Sequence, residues 1–254
     1  MKDDSKRSHR EQFREQVWEQ LREVAYPDSR FAWDFGEFIA DYEGSERGTE
    51  HLRTLATDLG VESWFVTPDN NLDSLRESLV RDDIPFIMPS YGILRGFLEL
   101  QPDEVPDGDE NFAGTLDGVN RFGREISLSE LEEAYDQFDI LVTGTSFVTE
   151  DGLRMGKGHG FFDLEWGMLR EIGLVDENTT VVAAAHEVQV IDADEVDRDE
   201  LLAEHDTIVD YIVSPSGIHE VEETPPKPKG IYWDLIDDSD IEKIPPLKEL
   251  YNRR

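Results

Sequence analysis

Three short apolar runs in the second half of the chain each end at a turn or lead into a helical pattern. They are Asp139-Ile140-Leu141-Val142-Thr143, Thr179 to Ala185, and Tyr211-Ile212-Val213 ahead of Pro215. Runs this short and this continuously apolar read as strands buried on both faces. Helical spacing fills the intervals. A helix is predicted over 128–136, opened by the capping-box pair Ser127 and Glu130, and another over 161–172, ending before Gly173. Strands alternating with helices predict an α/β fold, three layers α/β/α around a mainly parallel sheet.

The first half follows the same logic less clearly. A ragged start is expected over 1–7. Phe13, Val17, Leu21 and Val24 then predict a helix over 8–25, stopped by Pro27. Residues 28–47 are rich in aromatics and read as an irregular packed segment with a short helix. A helix over 48–59 ends at Gly60, a strand over 63–67 ends at Pro68, a helix spans 72–81, and a strand spans 84–88. A loop rich in Asp, Gly and Pro is expected over 101–125. From 224 the run Thr-Pro-Pro-Lys-Pro-Lys-Gly reads as an extended connector. The expected division is therefore one α/β domain over 1–223 and a C-terminal extension over 224–254 packing on it.

Charge narrows the function classes. The 254 residues hold 59 acidic side chains against 24 basic ones, a formal net charge of −35, with 7 Lys against 17 Arg. Such a chain repels nucleic acid in general, so no nucleic-acid partner is expected. An acidic, lysine-poor surface suits a cytoplasm of molar salt, where the Debye length falls to about 3 Å and self-repulsion is screened. No apolar run approaches the roughly 20 residues that span a bilayer, so no membrane partner is expected. The start, MKDDSKRSHREQF, lacks the apolar stretch of a secretory signal. Cysteine is absent, which excludes disulfides, thiolate catalysis and Cys-ligated metals. A cytoplasmic protein, monomer or homodimer, is the expectation.

Against that acidity, one segment gathers cations and glycines. It is Arg154-Met155-Gly156-Lys157-Gly158-His159-Gly160-Phe161-Phe162-Asp163, placed after a strand and opening into a helix. Glycines let backbone amides approach an anion, and the helix N-terminus adds unpaired N–H groups. Arg154, Lys157 and His159 add charge, so the segment reads as a phosphate cradle. The spacing fits neither the dinucleotide nor the Walker pattern, and a glycine triplet by itself is equally a plain loop. Asp163, in the first helical turn, is a candidate Mg²⁺ ligand. Arg10 and Arg14 lie four apart and share one face of the first helix.

At this run the chain resembles the 5-formyltetrahydrofolate cyclo-ligase family, which carries Arg-Leu-Gly-x-Gly-x-Gly-Tyr-Tyr-Asp. The strand Asp139 to Thr143 with Gly144-Thr145-Ser146-Phe147 is similar to the family's Pro-Gly-x-x-Phe loop, with Thr143 at the proline. Ala183 to Val190, with Gln189, resembles a later family strand, and His205-Asp206 with Val209-Asp210 resembles its "His-Asp…Val-Asp" element. Arg10 and Arg14 match an opening Lys-x-x-x-Arg helix. Arg14 to Trp18, Asp163 to Glu165 and Lys227 to Ile231 resemble the synthetase-domain-containing subgroup.

The resemblance implies an enzyme that uses ATP and Mg²⁺ to close 5-formyltetrahydrofolate to 5,10-methenyltetrahydrofolate through a phosphorylated formyl oxygen. It implies a folate as the small-molecule partner. Arg10, Arg14, Arg154, Gly156, Lys157, Gly158, His159, Gly160, Phe161 and Phe162 would bind ATP, with Lys157 and His159 at the reacting phosphate. Asp163 and Asp210 would hold the metal, and Asn71, Phe161 and Phe162 would meet the folate. The chain departs from the family at three places. Arg10 replaces a lysine and His159 another. Asn70-Asn71-Leu72-Asp73 stands where the family's substrate-contacting glutamate lies. A non-catalytic nucleotide- or folate-binding protein on the same fold is the alternative. A sugar-phosphate isomerase or CoA transferase of similar architecture is a further one.

Overall fold

The computed structural model describes residues 2–222 and 224–254, with side chains from His9 onward. Its strands are β1 (Trp64–Val66), β2 (Phe86–Pro89), β3 (Phe97–Leu100), β4 (Arg124–Ile126), β5 (Ile140–Gly144), β6 (Phe147–Thr149), β7 (Arg154–Met155), β8 (Thr180–Ala184), β9 (Val190–Ile191), β10 (Tyr211–Ser214) and β11 (Gly217–Glu220). Its helices are α1 (Lys2–Leu21), α2 (Ser45–Leu59), α3 (Asp73–Arg81), α4 (Glu110–Gly114), α5 (Leu116–Phe122), α6 (Leu128–Ala134), α7 (Phe161–Glu171), α8 (Arg198–Leu201), α9 (Asp238–Lys243) and α10 (Pro245–Arg253). The expected boundary at 223 falls on Glu223, which, like Met1, lies outside the described residues.

Eight strands form the central sheet in the order β11-β10-β8-β5-β1-β2-β3-β4. The five from β10 to β2 run parallel, and antiparallel strands extend both edges. Side chains alternate across it with the strand period of two. Trp64 and Val66 join Leu52 and Leu55 of α2 and Leu75 and Leu79 of α3 on one face. Phe65, Leu141 and Val181 join Leu128 of α6 and Trp166 and Leu169 of α7 on the other. This is the three-layer α/β/α arrangement that the alternating runs predicted.

The termini close the second layer. Ile241, Ile244, Leu247 and Leu250 from α9 and α10 are buried in the same cluster as Trp166. Each such aliphatic side chain stabilises by about 1.5–3 kcal/mol, as an upper bound. Trp166 Nε1 donates to the Pro228 carbonyl at 2.8 Å, so the connector is pinned across α7. A second, three-stranded sheet, β7-β6-β9, supports α1 through Val17, Phe147, Leu153 and Met155.

Several elements differ from the sequence expectation. The ragged start is instead the first turns of α1, which begins at Lys2. The 101–125 loop contains α4, α5 and a single 3-10 turn, with β4 beginning at its end. Gly118 explains part of this, since a Cβ there would stand 1.7 Å from the Phe112 carbonyl oxygen. The composition that reads as loop is a close helix–helix turn. Ser127 caps α6 reciprocally with Glu130 as expected.

The strand order also positions a crevice. From β1 the chain moves to β2 on one side, then returns from β4 to β5 on the other. The β1/β5 pair is therefore a topological switch point, where loops leave the carboxyl ends of adjacent strands in opposite directions.

Candidate functional site

Two segments bound the crevice: residues 67–72 after β1, and residues 145–160 after β5, which carry β6 and β7. Gly144 holds them together. Its N–H donates to Asp69 Oδ2 at 2.8 Å. A Cβ at this glycine would stand 2.7 Å from Asn71 Oδ1 and 3.0 Å from Asp69 Cβ, so no side chain fits there. Gln189, wholly buried, donates to the Thr145 carbonyl at 2.6 Å and fixes the outgoing loop.

The glycine run lies beyond it with the cations converging as expected. Arg14 reaches from α1 and donates through Nε to the Gly156 carbonyl at 2.7 Å. Its guanidinium also comes within 3.4 Å of where a Gly158 Cβ would be. Gly158 has φ of 104° and Gly160, which leads into α7, has φ of 69°, both in the left-handed region that glycine tolerates. Arg154 Nη1 donates to the Gly144 carbonyl at 3.2 Å, and its guanidinium lies 4.6 Å over the ring of Phe162. Its Nε is buried and has no hydrogen-bond partner among the described residues.

Burial, with the like charges of Arg10 and Arg154, brings the Arg14 guanidinium down to about 10, Glu11 and Asp206 opposing. Arg10 is paired with Asp206, so Arg14 and Arg154 are the arginines whose mutual repulsion a bound anion would relieve. Lys157 has no hydrogen bond or ion pair with a described residue, and its ammonium lies 5.7 Å from the centre of the Tyr91 ring. His159 reaches the Gly36 carbonyl at 3.2 Å and stacks on Phe161. Tyr91 in turn stacks on Phe31, so one wall of the site is aromatic. Phe161 borders Gly92 on that wall, whereas Phe162 is buried in the core beneath Arg154.

The acids are arranged differently from expectation. Asp163 Oδ1 accepts from the Thr207 amide at 2.8 Å. The neighbouring carboxylate is Asp206, which accepts from Arg10 Nη2 at 2.5 Å and from the Ala203 amide at 2.7 Å. Burial, followed by the charge of Asp163, pushes the Asp206 carboxyl up. Asp210 is not brought to Asp163. It accepts from the Val181 amide at 2.7 Å and from Lys227 Nζ at 2.6 Å, at the amino end of the strands. Arg10 is likewise held, donating from Nε to the Leu201 carbonyl at 2.9 Å, and so reaches the site through Asp206. Among the described residues no group of three or more His, Asp or Glu is arranged to hold a metal by itself.

In the loop after β1, Asn71 is buried beside Gly144. Its Nδ2 donates to the Ala184 carbonyl at 3.0 Å, which leaves Oδ1 without a partner. His186 is a structural histidine, accepting at Nδ1 from the Val188 amide at 3.2 Å. Sequence reasoning missed Asp69, Tyr91 and Glu165. Glu165 lies in the second turn of α7, 3% exposed, with Oε2 buried and unpartnered. Asp69 carried a signal, since it sits just past a parallel strand's carboxyl end. A separate depression of about 530 Å³ opens between Glu204, His205 and Trp233. It lacks the cradle's glycines and converging cations, so the chemistry is better placed at the glycine run.

A model of the 5-formyltetrahydrofolate cyclo-ligase family matches residues 5–215. The chain is similar to the methenyltetrahydrofolate synthase domain-containing protein of Homo sapiens, 30% identical over 250 residues, covering 96% of this chain and 62% of that one. Its counterpart in Danio rerio is 31% identical over 214 residues, covering 84% of this chain and 54% of that one. The chain thus spans less than two thirds of the length of these relatives. Among solved structures it is similar to the 5,10-methenyltetrahydrofolate synthetase of Aquifex aeolicus, with a TM-score of 0.48 at 14% identity, covering 85% of this chain and 94% of that one.

Proposed function

Because the chain belongs to the 5-formyltetrahydrofolate cyclo-ligase family, we propose that it closes 5-formyltetrahydrofolate to 5,10-methenyltetrahydrofolate with ATP and Mg²⁺. The observation that carries this reading is the cluster of Arg14, Arg154 and Lys157 around the glycine run, with the buried Arg154 Nε–H unpaired and Lys157 in no ion pair with a described residue. A triphosphate supplies the missing negative charge and the missing acceptor.

In this reading the γ-phosphoryl group passes to the formyl oxygen and ADP leaves. N10 of the folate then attacks the formyl carbon, the carbon–oxygen bond breaks, and inorganic phosphate departs with that oxygen. Both nucleophiles belong to the substrate, so the protein positions groups and neutralises charge. Lys157 and His159 face the transferring phosphoryl group, while Arg14 and Arg154 hold the rest of the phosphate chain. Asp163 and Asp206 are the carboxylates fit to hold Mg²⁺, which takes one or two carboxylates and completes its shell with phosphate oxygens and water. When bound, the ion neutralises charge on the phosphates. The aromatic wall of Tyr91 and Phe161 suits the flat pterin and aminobenzoyl rings.

Asn71 favours a second reading. A buried amide stands where a carboxylate would meet the pterin, which suits a protein that binds nucleotide or folate without turning over. Phosphate release separates the two. Folate-dependent release from ATP supports the cyclo-ligase. Tight binding of both ligands with no release supports the non-catalytic protein and refutes the enzyme.

A further inference from the structure

The family model matches the chain only as far as residue 215, and the extension from 224 crosses α7 beyond it. Three residues of α7 pin that crossing. Trp166 Nε1 donates to the Pro228 carbonyl at 2.8 Å. Glu171 Oε1 accepts from the Ile231 amide at 3.3 Å. Gly167 lets the two backbones touch, since a Cβ there would stand 3.1 Å from Ile231 Cγ1 and 3.3 Å from the Gly230 carbonyl carbon. Lys227 adds an anchor ahead of the crossing, donating to Asp210 at 2.6 Å and to the Thr179 carbonyl at 2.7 Å. Gly167 follows Asp163 by four residues, so the extension lies along the helix face that carries Asp163, one turn away.

The next residue, Tyr232, reaches the other candidate carboxylate. Its Oη donates to the Glu204 carbonyl at 2.8 Å, and its ring meets His205 edge-on with 6.0 Å between centroids. Glu204 and His205 are the middle of a turn that the Asp206 amide closes on the Ala203 carbonyl at 3.1 Å. Asp206 Oδ2 is committed within that corner, accepting from the Ala203 amide at 2.7 Å and from Arg10 Nη2 at 2.5 Å. Oδ1 stands 3.8 Å from His205 Nε2, beyond hydrogen-bond reach, so it is the freer oxygen to meet an ion. Asp163 is bonded to the Thr207 amide, directly after the turn. Neighbouring carboxylates repel each other, so the turn has to be held toward α7 until a cation arrives. A single extension grips both the helix that carries Asp163 and the turn that carries Asp206.

We infer that the C-terminal extension braces the Mg²⁺ site, with Tyr232 as its positioning residue: by tying the 203–206 turn to α7 it sets the spacing of Asp206 from Asp163. Mg²⁺ demands near-ideal octahedral geometry, so drift of one carboxylate is felt in its affinity. This rests on the metal reading above and carries the working site past the span that the family model matches.

Calorimetric titration of the full chain in molar KCl tests it, with a non-hydrolysable ATP analogue added at a series of Mg²⁺ concentrations. Tyr232→Phe removes only the hydroxyl from a half-buried ring. Loss of that hydrogen bond is expected to raise the Mg²⁺ concentration that half-completes analogue binding by about three- to tenfold. The analogue Kd without Mg²⁺ and the Kd for 5-formyltetrahydrofolate stay within about twofold of wild type. Asp163→Asn raises the Mg²⁺ midpoint by itself and leaves no pair of carboxylates to space, so adding Tyr232→Phe to it shifts the midpoint by less than about twofold more. A midpoint raised by Asp163→Asn and unmoved by Tyr232→Phe overturns the brace and leaves the metal reading intact; a lower melting temperature alongside makes the Tyr232 bond structural only. A Tyr232→Phe shift of the same size with and without Asp163→Asn means that Tyr232 acts elsewhere, and overturns the brace as well. Wild-type binding that ignores Mg²⁺ overturns both.

Discussion

Lys157 is the cradle's least committed cation, since no described acid pairs with it and its ammonium rests near the Tyr91 ring. A charge-assisted hydrogen bond to phosphate contributes about 1.5–3 kcal/mol, or about 10- to 100-fold in affinity. Lys157→Ala is therefore expected to raise the KM for ATP by about that factor and to leave the KM for folate within about threefold. Equal losses for both substrates would remove Lys157 from the phosphate site. Asp163→Asn is expected to cut activity about tenfold or more, with partial recovery as Mg²⁺ is raised. Loss that no Mg²⁺ concentration relieves would assign Asp163 to the Thr207 amide alone. The cluster of cations was legible in the sequence because cations are rare enough in this chain for it to stand out. The acids were not. Acidic residues are everywhere, and choosing Asp206 over Asp210 requires knowing which edge of the sheet each occupies. Asp210 is bonded to Val181 at the amino end of β8, while the crevice opens at the carboxyl ends. Glu165 was hidden for a different reason: in a helix turn of mixed character, only the packing reveals that a carboxylate points inward.

Elements with a strong local signal were read correctly. Parallel strands such as β5 and β8 announce themselves as continuous apolar runs, and α6 through its capping box. Ser127→Ala tests that cap directly. It is expected to cost about 1 kcal/mol and to lower the melting temperature by about 2–4 °C, with the KM for ATP unchanged, since the Ser127 hydroxyl bonds to Glu130 within its own cap. No change in melting temperature would mean that the cap is replaced by solvent. The edge strands were not read. β11 is Gly-Ile-His-Glu on an exposed edge, and β7 and β9 are two residues each, so they exist only because neighbours offer hydrogen bonds. Likewise α4 and α5 span too few residues to show a helical period. Their pairing is fixed by the close approach at Gly118, which in sequence looks like any loop glycine.

The whole molecule combines a net charge of −35 with a site for which anionic ligands are proposed. At low ionic strength the surface repels both itself and ATP. Added salt shortens the Debye length and removes both penalties. The melting temperature is therefore expected to rise by more than about 5 °C between 0.1 and 2 M KCl, and the KM for ATP to fall over the first part of that range. Salt-independent stability would mean that the acidic surface is neutralised within the fold. The direct test of the central claim is absorbance of the methenyl product during incubation of the protein with 5-formyltetrahydrofolate, ATP and Mg²⁺ in molar KCl. The account predicts a rise that matches ADP formed one for one, vanishes without ATP or Mg²⁺, and is slowed by Lys157→Ala. Folded protein that binds both ligands and produces no methenyl absorbance contradicts it.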